Sequence, residues 1–159
     1  MSPDRVGAYF RYFIRKQPRG DVYRALLDYG ARQSAYLLLV VQKGMALSSE
    51  GQQLLEQLTA FEIDDVESDR WPGTQLLGRT AHVYRYSVNY FTIEVVKNAV
   101  LGLYDWVQPE RPEDLALLRA DESPWLASIA HERESYLEIT PEERQELLAA
   151  VPGLLLYED

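Results

Sequence analysis

A chain of 159 residues, 47% hydrophobic and 26% charged, has ordinary globular usage and buries about two thirds of its unfolded surface at this length, so one domain over residues 1–159 is expected. The absence of cysteine excludes disulfides, thiolate zinc sites, iron–sulfur clusters and a cysteine nucleophile. The net charge of −9 conceals an asymmetry, because the chain through Ser48 carries 8 basic and 3 acidic residues (+5) and the remainder 8 basic and 22 acidic (−14).

At the N-terminus, Ser2-Pro3-Asp4 has the form of a helix start, with a capping side chain before a proline preset for the first turn. Val6, Phe10, Phe13 and Ile14 then follow helical spacing, while Ala8, Phe10, Tyr12 and Ile14 also alternate with Arg11 and Arg15 as in a strand. Helix is the expectation. Gln17-Pro18-Arg19-Gly20 ends it, and Asp21 caps a longer helix bearing Val22, Leu26, Leu37 and Val41 that stops at Gly44. Ser49 with Gln52 fits a capping box, and Leu54, Leu55, Leu58 and Phe61 make the apolar stripe of a third helix. The acidic run Glu62 to Asp69 reads as a connector leading to the Pro72-Gly73 turn.

Val83, Tyr84, Tyr86 and Val88 predict a strand over 80–88. Asn89 caps a helix with Ile93, Val96, Val100, Leu103 and Val107 at core spacing, ended by Pro109 and Pro112. Strands over 114–119 and 125–131 follow. A three-residue loop at Glu132-Arg133-Glu134 sets Ile129 opposite Leu137 and Ala127 opposite Ile139, apolar against apolar. That register gives His131 a structural position beside Trp125 and Ile129, opposite Ser135, and leaves Glu132, Tyr136 and Glu138 nearer solvent. Thr140-Pro141-Glu142-Glu143 opens a C-terminal helix to about Val151, and Leu154 to Tyr157 docks back as a strand or packed tail. The fold class expected is α+β, with a helix-rich N-terminal half, a small antiparallel sheet with hairpins in the C-terminal half, and a C-terminal helix.

Chemistry is sparse. The two imidazoles are His82 and His131. His131-Glu132-Arg133-Glu134 fails the zinc-protease pattern because Ser135 stands where a second His is needed. A hydrolase using His131 with Glu132 or Glu134 is the enzymatic alternative. Glu62 to Asp69 lacks the glycine and distal Glu of a calcium loop, and phosphate-loop and nucleophile-elbow patterns are absent. No catalytic residue, metal or cofactor is therefore assigned.

An acidic body repels phosphate backbones, so no nucleic-acid partner is expected, whereas it favours encounter with a basic protein. The apolar run Ala35 to Val41 is too short to span a bilayer, and the N-terminus has no leader pattern. No membrane partner and a cytoplasmic location are expected. With 11 tyrosines and tyrosine favoured at interfaces, the hairpin residues Glu132, Glu134, Tyr136 and Glu138 are the candidate binding surface.

Three segments, Trp71-Pro72-Gly73-Thr74, Pro112 to Arg119 and Trp125 to Glu132, resemble small acidic bacterial proteins. In size and acidity the chain is similar to immunity proteins that neutralise bacterial toxins. The resemblance implies a non-enzymatic inhibitor of a basic partner protein, a toxin among the candidates, and carries no catalytic residue. Acidic mimicry of nucleic acid is a further alternative.

Overall fold

The computed structural model describes residues 4–6 and 8–157. An N-terminal hairpin of β1 (Asp4–Val6) and β2 (Tyr9–Phe13) precedes α1 (Asp21–Gln33) and β3 (Tyr36–Gln42). Next come α2 (Ser49–Leu58), β4 (Glu62–Ser68), the small hairpin of β5 (Arg70–Trp71) and β6 (Thr74–Gln75), and β7 (Ala81–Ser87). The chain continues through α3 (Tyr90–Ala99), β8 (Glu113–Leu118), β9 (Pro124–Ile129), β10 (Glu134–Ile139) and α4 (Pro141–Ala150). Eight strands form one sheet in the order β1-β2-β10-β9-β8-β3-β7-β4, and its pairings are antiparallel.

The class is α+β with a C-terminal helix, but the N-terminal half is not helix-rich and the sheet is not a small C-terminal one. Strands from both halves build it. The Ser2-Pro3 helix start lies outside the described residues. Beyond it the chain is strand, because Tyr12 and Ile14 face the helical core while Phe13 packs on the opposite side with Tyr136, and aromatic residues on both faces blur the two-residue period. The long helix after Asp21 stops at Gln33. Residues 36–42 are a strand paired on both sides, with β7 and β8, and apolar residues on both faces of an interior strand produce a run without periodicity.

The acidic connector is likewise a strand. β4 lies at the sheet edge, pairing only with β7 among the described strands, and most of its side chains are exposed. An edge strand open to water on both faces has no apolar alternation to read. The strand over 81–87 and the Asn89 cap match the sequence reading; Asn89 Oδ1 accepts from Thr92 N–H at 2.9 Å and Thr92 Oγ1 from Asn89 N–H at 3.0 Å. The third helix is present, but its cap is Ser48, whose Oγ accepts from Gly51 N–H at 3.0 Å, rather than Ser49, and Phe61 falls in a separate 3-10 turn. The helix that Asn89 opens stops at Ala99, and Leu103 belongs to a separate single turn.

One face of the sheet carries the main core. Tyr12, Leu37, Leu39, Tyr86, Leu115, Leu117, Leu126 and Leu137 pack there against Leu26 and Leu27 of α1, Leu58 of α2, Val96 of α3 and Leu147 of α4. The opposite face holds smaller clusters, Val40 with Trp71 and Ala81, Leu38 with Ala116 and Leu118, and Ala127 with Ile129 and Tyr136. The β5–β6 hairpin folds over this second face, where an added Cβ at Gly73 would come within 2.8 Å of Ile129. Gly73 also has φ +90°, a left-handed conformation that glycine adopts without strain.

Candidate functional site

The hairpin register differs from the expected one. Ile129 lies opposite Glu134, Ala127 opposite Tyr136 and Leu126 opposite Leu137, so four residues connect the strands. Three of them, Ala130–Glu132, form a single 3-10 turn, and Arg133 closes it in a left-handed conformation at φ 56°. His131 therefore lies in the turn, with its side chain 52% exposed and Nε2 3.9 Å from Glu132 Oε1, beyond hydrogen-bond reach. It is not opposite Ser135, which pairs with Ser128 and shares a hydrogen bond with the Tyr104 hydroxyl at 2.9 Å.

The four hairpin candidates separate into two groups. Glu132 and Glu134 are exposed. Tyr136 and Glu138 are buried, contrary to the expectation that they lie nearer solvent. Glu138 accepts from Arg11 at 2.6 Å, and the same guanidinium carbon lies 4.1 Å from the Tyr136 ring centroid. These two side chains close the second face of the sheet; their burial raises the Tyr136 phenol above its ordinary value.

Beside the turn, segments distant in sequence converge on one carboxylate. Trp71 Nε1–H donates to Asp114 Oδ2 at 2.9 Å, and the Ala130 N–H donates to Asp114 Oδ1 at 3.0 Å. Asp114 is 1% exposed with φ 57°, a conformation that costs a non-glycine residue energy, less so for Asp than for most. Burial raises its pKa, opposed by the Trp71 and Ala130 hydrogen bonds. Glu113, 2% exposed, accepts from Gln42 Nε2 at 2.8 Å. Gln42 is held in turn, its N–H donating to Gln108 Oε1 at 2.7 Å. One ligand-type atom from each of Glu113, Asp114 and His131 lies within 4.8 Å of the others.

Sequence reasoning singled out His131 but not Glu113, Asp114 or Trp71 as its neighbours. The three segments carrying the resemblance contain Trp71, Asp114 and Ala130, which was the available signal.

A second surface lies at the far edge of the sheet. Within β4, Glu62, Asp64, Asp65 and Glu67 accompany the exposed Ile63 and Val66, at 44% and 51% exposure. Arg85 reaches Asp64 at 2.6 Å, Lys43 reaches Glu67 at 2.8 Å, and His82 Nδ1 lies 3.2 Å from Asp65. The Lys43 hydrogen bond holds the Glu67 carboxyl below its usual value. A groove of about 420 Å³ between α2 and α3 is lined in part by Gln53, Phe91, Glu94 and Arg111, and a neighbouring one of about 520 Å³ by Leu101, Tyr104, Val107 and the same Arg111. Arg111 is already engaged there, donating to the Ala99 carbonyl at 3.1 Å and to Glu50 at 3.3 Å.

No family model matches the chain, and neither a curated protein nor a solved structure matches it. Among the described residues no helix is long and apolar enough to cross a membrane.

Proposed function

We propose that the chain is a non-enzymatic protein-binding module, an immunity- or antitoxin-like inhibitor, and that it takes an extended basic segment of its partner on the free edge of β4. The observation that carries this reading is an edge strand with four carboxylates in seven residues and two exposed aliphatic side chains between them. A strand added to an open sheet edge gains main-chain hydrogen bonds, while side-chain pockets and charges set its identity. The carboxylates repel a second copy of this acidic chain, which disfavours self-pairing at this edge. Asp64 and Glu67 are paired within the chain with Arg85 and Lys43, so lysine or arginine on an incoming strand meets chiefly Glu62 and Asp65 or competes for the paired carboxylates, and apolar residues between them meet Ile63 and Val66.

The test uses a labelled extended peptide alternating lysine with valine, titrated by fluorescence anisotropy at low and high salt. Binding is expected to weaken with salt, to protect backbone amides of residues 62–68 from hydrogen exchange, and to fall at least about tenfold in E62K/E67K. Binding without protection of β4, or unaffected by charge reversal, overturns the reading.

A further inference from the structure

We propose that Glu113, Asp114 and His131 form a binding site for a divalent cation of the zinc or manganese class. The residues supply one imidazole nitrogen and two carboxylate oxygens within 4.8 Å of one another, a mixed donor set suited to these ions rather than to the all-oxygen shells of calcium or magnesium.

An independent observation is the charge accounting of the interior. The carboxylate and ammonium side chains buried among the described residues are Lys97, Glu113, Asp114 and Glu138. Lys97 is paired with Asp28 and Glu94, both at 2.7 Å, and Glu138 with Arg11 at 2.6 Å. Glu113 and Asp114 are adjacent, and among the described residues neither has a lysine or arginine partner. Two neighbouring buried carboxylates without a cation are costly, because each ionised group loses its hydration and repels the other. A bound divalent cation removes both penalties.

The surroundings suit a ligand set. Trp71 and the Ala130 N–H orient the Asp114 carboxylate, and Gln42 orients Glu113 through the oxygen it bonds, as outer hydrogen bonds orient carboxylates at metal centres. His131 is half-exposed in the turn, so the site is reached by solvent from the imidazole side while the two carboxylates are buried.

The experiment uses the full chain, stripped with a chelator and titrated with zinc chloride or manganese chloride alone. Calorimetry is expected to show one saturable site, with a thermal midpoint that rises with metal concentration. His131→Ala, a change at an exposed turn position, is expected to weaken binding at least about tenfold while leaving the metal-free midpoint nearly unchanged. Glu113→Gln is expected to weaken it similarly. His82→Ala serves as the control, because His82 with Asp65 is the other imidazole–carboxylate pair on the surface, and it is expected to leave binding intact. Absence of saturable binding, loss in His82→Ala instead of His131→Ala, or unchanged affinity in both site variants overturns the proposal.

Discussion

The indole N–H of Trp71 donates to the Asp114 carboxylate across 43 residues of sequence, at 2.9 Å and in a buried setting. This bond fastens the β5–β6 hairpin to the start of β8. Trp71→Phe keeps most of the apolar contact with Val40 and Ala81 but leaves a buried carboxylate short of one donor. The expected cost is about 1–3 kcal/mol, read as a lower urea midpoint with an unchanged denaturant slope. A variant as stable as the parent would show that water replaces the indole at Asp114.

Glu138 is held in the fold by Arg11. Removing a cation from a buried carboxylate costs more than the pair contributes, because the remaining charge stays desolvated. Arg11 is itself 32% exposed, so water relieves part of the penalty. Arg11→Ala is expected to destabilise by about 2–3 kcal/mol, and Glu138→Gln in the same background to recover a portion of it. Additive losses in the double variant would show that the pair is not coupled.

Where the sequence was legible, a local rule and the tertiary context agreed. Thr140 caps α4, accepting from the Glu143 N–H at 3.1 Å with Pro141 in the first turn, and Asn89 caps α3. The misread elements are those whose pattern depends on neighbours. β3 gains a strand on each side and loses its alternation, whereas β4 has water on one edge and both faces, so its composition is that of a loop. The β9–β10 register failed for another reason. Matching apolar residues fixes the parity of a hairpin only when both strands are regular, and β9 meets β8 through a register shift beside Pro124 that leaves both Trp125 and Leu126 in the main core. The neighbourhood of His131 was illegible because the strain at Asp114 and the convergence of Trp71 and Ala130 on it are properties of the assembled sheet.

Two buried tyrosines should respond oppositely to loss of the hydroxyl. Tyr23 donates to the Val96 carbonyl at 2.7 Å and accepts from the Trp106 indole at 3.1 Å. Tyr86 is fully buried, and its hydroxyl has no hydrogen-bond partner. Tyr23→Phe strands two buried polar groups and is expected to cost about 2–4 kcal/mol, whereas Tyr86→Phe removes an unsatisfied one and is expected to be neutral or stabilising. Denaturant titration of the two variants checks the contrast; a clear loss in Tyr86→Phe would reveal a partner for its hydroxyl.

The same burial sets an alkaline limit. Tyr23 and Tyr86 are pushed well above the ordinary phenol value of 10, mainly by desolvation. Below that value the folded and unfolded chains both hold these protons, and stability from this source is fully present. Above it the unfolded chain ionises first and binds fewer protons than the folded one, so stability falls with rising pH until the folded-state pKa is passed. The thermal midpoint is expected to decline from about pH 10 upward, and less steeply in Tyr86→Phe. An equal slope in that variant would assign the decline to other groups.

Gly30 sets how closely α1 approaches the sheet. In an exposed helix interior, replacing glycine by alanine stabilises by about 1 kcal/mol, because glycine loses more backbone freedom on folding. Here a Cβ would come within 2.7 Å of both Leu117 Cδ1 and Trp125 Cζ3, and both of those side chains are fully buried. Neither can move toward solvent, so the helix must lift or the side chains must leave their rotamers, at about 1–3 kcal/mol. The overpacking exceeds the entropic gain, and Gly30→Ala is expected to lower stability by about 1–2 kcal/mol. Leu117→Val removes the Cδ1 atom that the new methyl meets. Combined with Gly30→Ala, it is expected to cost less than the sum of the single changes, a coupling that a double-mutant cycle measures directly. A Gly30→Ala variant more stable than the parent would show that α1 shifts freely over β8 and β9, and that the close approach of helix to sheet is not a constraint on this core.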